Sequence, residues 1–218
     1  MQLRPHYGDT LLRIEAGPSD PVVPMLRQRE RLADLLAGLD AEQWAAPSRC
    51  AGWSVQDVVT HLVGTNQFWG FSIRGALAGE PTRFLEGFDP VATPAELVAA
   101  AGVVDPTETL AGFVEANARL ADATAAIDDL DRLGEAPPGH VPLRAVVLHA
   151  LWDSWVHERD VALPLGIDVV EEPDEVLGSL VYGAALSPLL AVTMGEARSG
   201  AVSVEASDPP RGGGGAAG

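Results

Sequence analysis

The sequence predicts an all-α fold: a four-helix bundle with one more helix packed on it. Three observations predict it. Four long stretches carry apolar residues at the three-and-four spacing of an amphipathic helix. Capping residues and Pro–Gly breakers separate those stretches. There is no internal repeat, and only one short alternating run, at 201–205, has a β-like pattern.

Residues 1–21 lack a regular pattern and read as an irregular N-terminal arm or an extra strand. From Pro24 onward, Met25, Leu26, Leu32, Leu35, Leu36 and Leu39 mark a first helix that stops near Asp40. A loop through Pro47, Cys50, Gly52 and Trp53 leads to Ser54, an N-cap with Asp57 three residues on, so a second helix runs from about Val55 to Leu77. Thr93-Pro94 opens a short helical stretch. Asp105-Pro106 opens a longer one, through Leu110, Phe113, Leu120 and Ile127, which Pro137-Pro138-Gly139 breaks. A fourth long helix spans Pro142 to about Leu163, and a fifth helix starts near Pro173. The bundle domain is thus expected over 22–200, with a short strand-like segment and a disordered Gly-rich tail over 201–218.

Within the fifth helix, Val176 to Gly195 is free of charge and long enough to span a bilayer. Its glycines, serines and Pro188, its flanking acids Glu175 and Glu196, and the absence of basic anchors argue instead for a helix buried in a soluble bundle. No signal-peptide pattern opens the chain, so the expected location is cytoplasmic.

The chain has 218 residues, 47% of them hydrophobic, enough for one well-buried core. All 14 basic residues are arginine, which with abundant Ala, Gly and Pro points to a GC-rich bacterial genome. A formal charge of −17 repels phosphate backbones and anionic lipid surfaces, so neither nucleic acid nor membrane is an expected partner. The single cysteine, Cys50, excludes an internal disulfide and reads as a loop thiol without a role.

Three side chains stand out. Asp153 and His157 are four apart on the fourth long helix and share an inward face with Val146, Ala150 and Val161. A carboxylate facing inward is costly unless it is paired or bound to a cation. His61 lies at the edge of the apolar stripe of the second helix. Alone it reads as a satisfied core histidine; beside Asp153 and His157 it completes a three-ligand set that leaves a tetrahedral divalent metal one open position. A buried Asp–His pair that only fixes packing is the structural alternative. Trp152 and Trp155 read as core.

Two segments carry a resemblance. The run from Cys50 to Leu62, with Gly52-Trp53-Ser54-Val55, Asp57-Val58 and His61, and the run from Trp152 to Asp160, with Asp153 and His157, resemble the mycothiol-dependent maleylpyruvate isomerase family of the DinB-like superfamily. The likeness covers about residues 25–165. It implies a DinB-like bundle from an actinobacterial source. It further implies a divalent metal, usually zinc, on His61, Asp153 and His157, and a mycothiol thiol activated for attack on a small electrophile or for cis–trans isomerisation. Asp153 stands where the isomerases resemble a Glu pattern, and the C-terminal α/β domain of many relatives is short or absent here. His149, one turn before Asp153, is a further candidate as fourth ligand, ligand support or substrate contact, and Arg159 as a contact for an anionic substrate; these two are the candidate catalytic residues. The expected partners are a small-molecule substrate and a low-molecular-weight thiol, in a monomer or homodimer. Isomerase and S-transferase activities both fit. The rival reading is a bundle that binds a small molecule or metal without chemistry.

Overall fold

A computed structural model describes residues 3–102 and 104–196. The strand-like segment and tail expected at 201–218 lie outside the described residues. The chain order is α1 (Val22–Ala37), α2 (Ala41–Ala45), α3 (Val55–Leu77), α4 (Ala92–Ala101), α5 (Pro106–Ala125), β1 (Leu133–Ala136), β2 (Gly139–Pro142), α6 (Leu143–Ala162) and α7 (Pro173–Thr193). Helices α1, α3, α5 and α6 form the bundle. α1 and α3 sit on opposite corners, each touching α5 and α6, and α7 packs on α6 and α1.

The local signals that start the helices are satisfied. Asp105 caps α5 through the Thr107 N–H, with Pro106 at the first position. Ser54 and Asp57 form a reciprocal capping box at α3. Ser54 Oγ accepts from the Asp57 N–H at 3.2 Å, and Asp57 Oδ2 accepts from the Ser54 N–H at 2.8 Å. Ser54→Ala orphans one donor of the helix that carries His61, so it is expected to cost about 1 kcal/mol in urea unfolding, with the folded spectrum unchanged.

Two apolar clusters fill the bundle. One gathers Leu32, Leu36, Val55, Val58, Leu62 and Phe113; the other gathers Met25, Trp69, Ile73, Leu120, Val146 and Val147. A polar group links all four bundle helices. The buried Arg29 guanidinium donates to Asn66 Oδ1 at 3.0 Å and to the Ala150 carbonyl at 2.8 Å, and Asn66 donates on to Asn117 at 2.7 Å. Burial pulls Arg29 down to about 10, with the nearby Asp153 charge opposing the shift.

The structure departs from expectation in two places. First, the third long helix ends at Ala125, and 133–142 form an antiparallel hairpin around Pro137-Pro138. Glu135 on β1 is fully buried. It accepts from the Tyr7 and Thr82 hydroxyls and from the Phe84 and Leu85 N–H groups, all at 2.8–2.9 Å. One carboxylate thereby fastens the N-terminal arm and the α3–α4 loop to the bundle. The arm runs against β2 so closely that a Cβ on Gly139 would lie 1.9 Å from the His6 carbonyl oxygen, which explains glycine there.

Second, α7 is less buried than its composition suggested. It is long and apolar enough to cross a membrane, yet only 28% of its most apolar window is buried. It lays a stripe of Gly178, Ser179, Tyr182 and Leu189 on the bundle and leaves Leu177 and Val192 exposed. Contact is close at Gly178, where a Cβ would meet Leu151 at 2.8 Å. Charge also holds it. Arg31 on α1 bridges the buried carboxylates of Glu158 on α6 and Glu175 on α7 at 2.7–3.0 Å, and Arg27 binds Glu175 and Asp174.

Candidate metal centre

α3 supplies His61, and α6 supplies Asp153 and His157 from one face a turn apart. The helices are adjacent, and the three side chains converge. Asp153 Oδ1 lies 3.9 Å from His61 Nε2 and 3.7 Å from His157 Nε2, and the three candidate ligand atoms fall within 4.8 Å of one another. Nitrogen and oxygen ligands on a tetrahedral zinc, at bond lengths near 2.1 Å, stand about 3.4 Å apart, so the two Asp153–histidine separations need to close by about half an ångström or less. The side chains keep 14%, 11% and 15% of their surface exposed in the order His61, Asp153, His157, so the group reaches solvent. The Trp53 ring packs beside His61 at 5.4 Å.

Two observations fit a cation. Asp153 Oδ2 is buried and has no hydrogen-bond partner, a condition that costs free energy unless another group takes the oxygen. The donor set, two imidazoles and a carboxylate, is that of an open zinc site. In the metal-free group the charges act on one another. Burial alone would raise Asp153, but the facing His61 and His157 hold it well below the usual carboxylate range. Burial alone would lower His157, but its bonds to Asp160 and Cys50 and the Asp153 charge carry it up to about 10.

The candidate catalytic residues have other surroundings. His149 is buried, outside the ligand group. Its Nδ1 shares a hydrogen bond with the Tyr182 hydroxyl at 2.6 Å, and its ring lies among Trp69, Trp152 and Tyr182. Burial pushes it down to about 4, against the pull of Asp153, so it stays neutral, and burial raises Tyr182 well above its ordinary value. The fourth-ligand role expected of His149 has no place in the converging group, which holds His61, Asp153 and His157 among the described residues. Arg159 is engaged by neighbours of its own. Its guanidinium stacks on Trp155 at 3.4 Å and bonds the Trp155 carbonyl and Glu171, which fixes the end of α6 and leaves no fork for an anionic substrate.

Sequence reasoning missed Cys50 and Arg29. Cys50 Sγ donates to Asp160 Oδ2 at 3.3 Å and stands 3.7 Å from His157 Nδ1. Nothing in the spacing of residues 50 and 157 signals that meeting. Arg29 lies between Met25 and Leu32 on the buried face of α1, beside the buried Gln28.

The mycothiol maleylpyruvate isomerase N-terminal domain family matches residues 25–162. The chain is 29% identical over 163 residues to the uncharacterized protein Rv0036c of Mycobacterium tuberculosis, covering 70% of this chain and 59% of that protein. It is 27% identical over 167 residues to the uncharacterized protein Rv0738 of the same species, covering 77% and 79%. Among solved structures, a mycothiol-dependent maleylpyruvate isomerase superposes with a TM-score of 0.63 at 17% identity, over 80% of this chain and 69% of that one. YfiT from Bacillus subtilis, described as a probable metal-dependent hydrolase with an unusual four-helix bundle topology, superposes with a TM-score of 0.54 at 20% identity, over 74% and 96%. At such identities the superpositions establish the four-helix bundle fold alone.

Proposed function

The chain belongs to the mycothiol maleylpyruvate isomerase N-terminal domain family, and from that membership we propose that it is a cytoplasmic, metal-dependent enzyme that uses a low-molecular-weight thiol of the mycothiol type on a small electrophile, by S-transfer or cis–trans isomerisation. The observation that carries the proposal is the converging His61, Asp153 and His157 with the partnerless Asp153 Oδ2 among them. In this reading the three side chains hold one divalent metal, zinc by donor type. Such a metal, when bound, supplies Lewis acidity that lowers the pKa of a thiol or water in its open position.

The chain's own residues shape the rest. Asp153 sets the charge of the site. Trp53 walls one side against His61 and keeps bulk water from that flank. His149 and Tyr182, bonded to each other, form a buried floor one turn from Asp153. Because the chain spans 59% of the length of Rv0036c and 69% of the isomerase, thiol specificity is part of the proposal and does not follow from family membership alone.

Purified protein is expected to carry close to one equivalent of a divalent first-row metal. After replacement by cobalt, added mycothiol should raise a sulfur-to-cobalt charge-transfer band. Metal without such a band would favour the binding protein over the enzyme. Protein that takes up no metal would leave the Asp–His pairing as packing.

A further inference from the structure

We infer that Asp160 is a positioning residue of this metal centre: its carboxylate holds His157 by Nδ1 so that Nε2 is presented to the metal, and Cys50 seats that carboxylate. The inference rests on the metal reading above and assigns a support that the ligand set alone does not contain.

An imidazole can ligate through either nitrogen, and the bond made by the other nitrogen decides which. Here the two nitrogens are separated in role. His157 Nδ1 donates to Asp160 Oδ2 at 3.0 Å, three residues along α6, while Nε2 faces Asp153 Oδ1 at 3.7 Å. A proton fixed on Nδ1 leaves the Nε2 lone pair directed at the group formed with His61 and Asp153. It also makes the imidazole a stronger donor to a cation.

The carboxylate is itself held. The Cys50 thiol donates to the same Oδ2 at 3.3 Å, and the Arg49 N–H donates to the Asp160 carbonyl at 3.0 Å. These bonds tie the 46–54 loop to the end of α6. The same loop delivers Trp53 to His61 and ends in Ser54, the cap of α3. Two contacts thus brace the ligand-bearing ends of α3 and α6 against each other.

A rival geometry is present. Cys50 Sγ, Asp160 Oδ2 and His157 Nδ1 also lie within 4.8 Å of one another and could hold a thiophilic metal. Their polar atoms already satisfy one another, whereas Asp153 Oδ2 has no partner. The vacant bonding capacity is on the Nε2 side, so the structure assigns the metal there and makes Asp160 its support.

The test is zinc affinity, measured by competition with a chromophoric chelator on metal-stripped protein, together with the spectrum of the cobalt form before any thiol is added. Asp160→Ala is expected to weaken zinc about 10- to 100-fold. Asp160→Asn, which keeps an acceptor oxygen, should recover part of that loss and guards against a folding defect in the alanine variant. Cys50→Ala should stay within a few fold of the parent protein, and the cobalt form should show no sulfur charge-transfer band. Parent-like affinity in Asp160→Ala overturns the inference while leaving the metal centre intact. A sulfur band that disappears in Cys50→Ala overturns it in favour of the rival ligand set. A parent protein that binds no zinc overturns the metal centre and, with it, the inference.

Discussion

Asp153→Asn is expected to fold like the parent protein and to retain little metal, whereas Asp153→Glu is expected to keep metal and lose activity. Asn preserves shape but removes the one negative charge that faces two imidazoles. Without that charge, the cation must be held by two neutral nitrogens near the buried Arg29 charge, with Asp160, on the far side of His157, the anion that remains. Elemental analysis should therefore show well under a third of the parent's metal. Glu keeps the charge and adds a methylene. α6 is packed on both sides, with Val161, Ala150 and Val146 buried around the site, so the extra reach pushes the carboxylate about an ångström past its place. Misplacement on that scale costs on the order of a hundredfold in rate. Turnover of maleylpyruvate with mycothiol, or failing turnover the intensity of the mycothiol–cobalt band, reads the second arm. Full metal in Asp153→Asn would remove Asp153 from the ligand set.

The legible parts of the fold are those written in local signals. α3 runs from Val55 to Leu77, as its capping box and periodicity indicate, and α5 begins after Asp105 for the same reason. The pairing of Asp153 with His157 on one face is a matter of helical spacing alone. The hairpin was illegible because Leu133, Gly134, Glu135 and Ala136 carry no β-branched or aromatic residue. What makes them a strand is Glu135, buried by donors from Tyr7, Thr82, Phe84 and Leu85, all more than forty-five residues away in sequence. The burial of α7 was overestimated for a related reason. A run without charge reports composition, not which side meets the bundle, and the residue that anchors α7 most firmly is Glu175, the acid just outside that run. The support of His157 was half legible: Asp160 is three residues on, but Cys50 arrives from another loop.

The network around Glu175 carries the largest expected effect on stability. Arg31 is the only residue bonded to both Glu158 and Glu175 among the described residues, and its side chain is 21% exposed while theirs are 2% and 0%. Arg31→Ala deletes four charge-assisted hydrogen bonds at once. Glu158 keeps only a 3.5 Å contact with Arg159, and Glu175 keeps Arg27. Two carboxylates then share a dry boundary between α1, α6 and α7 with too little positive charge. Removing one partner of a buried pair costs about 3–5 kcal/mol, because the abandoned charge keeps its desolvation penalty. Urea unfolding should show that loss. A triple substitution, Arg31→Met with Glu158→Gln and Glu175→Gln, removes the charges together and should recover most of it. Because Glu158 adjoins His157 and Tyr182 of α7 bonds His149 beneath Asp153, undocking of α7 should also loosen the metal centre. Arg31→Ala is therefore expected to unfold at lower urea and to bind zinc more weakly, and the triple variant to regain both. An Arg31→Ala protein of parent stability would show that α7 is held by its apolar stripe alone.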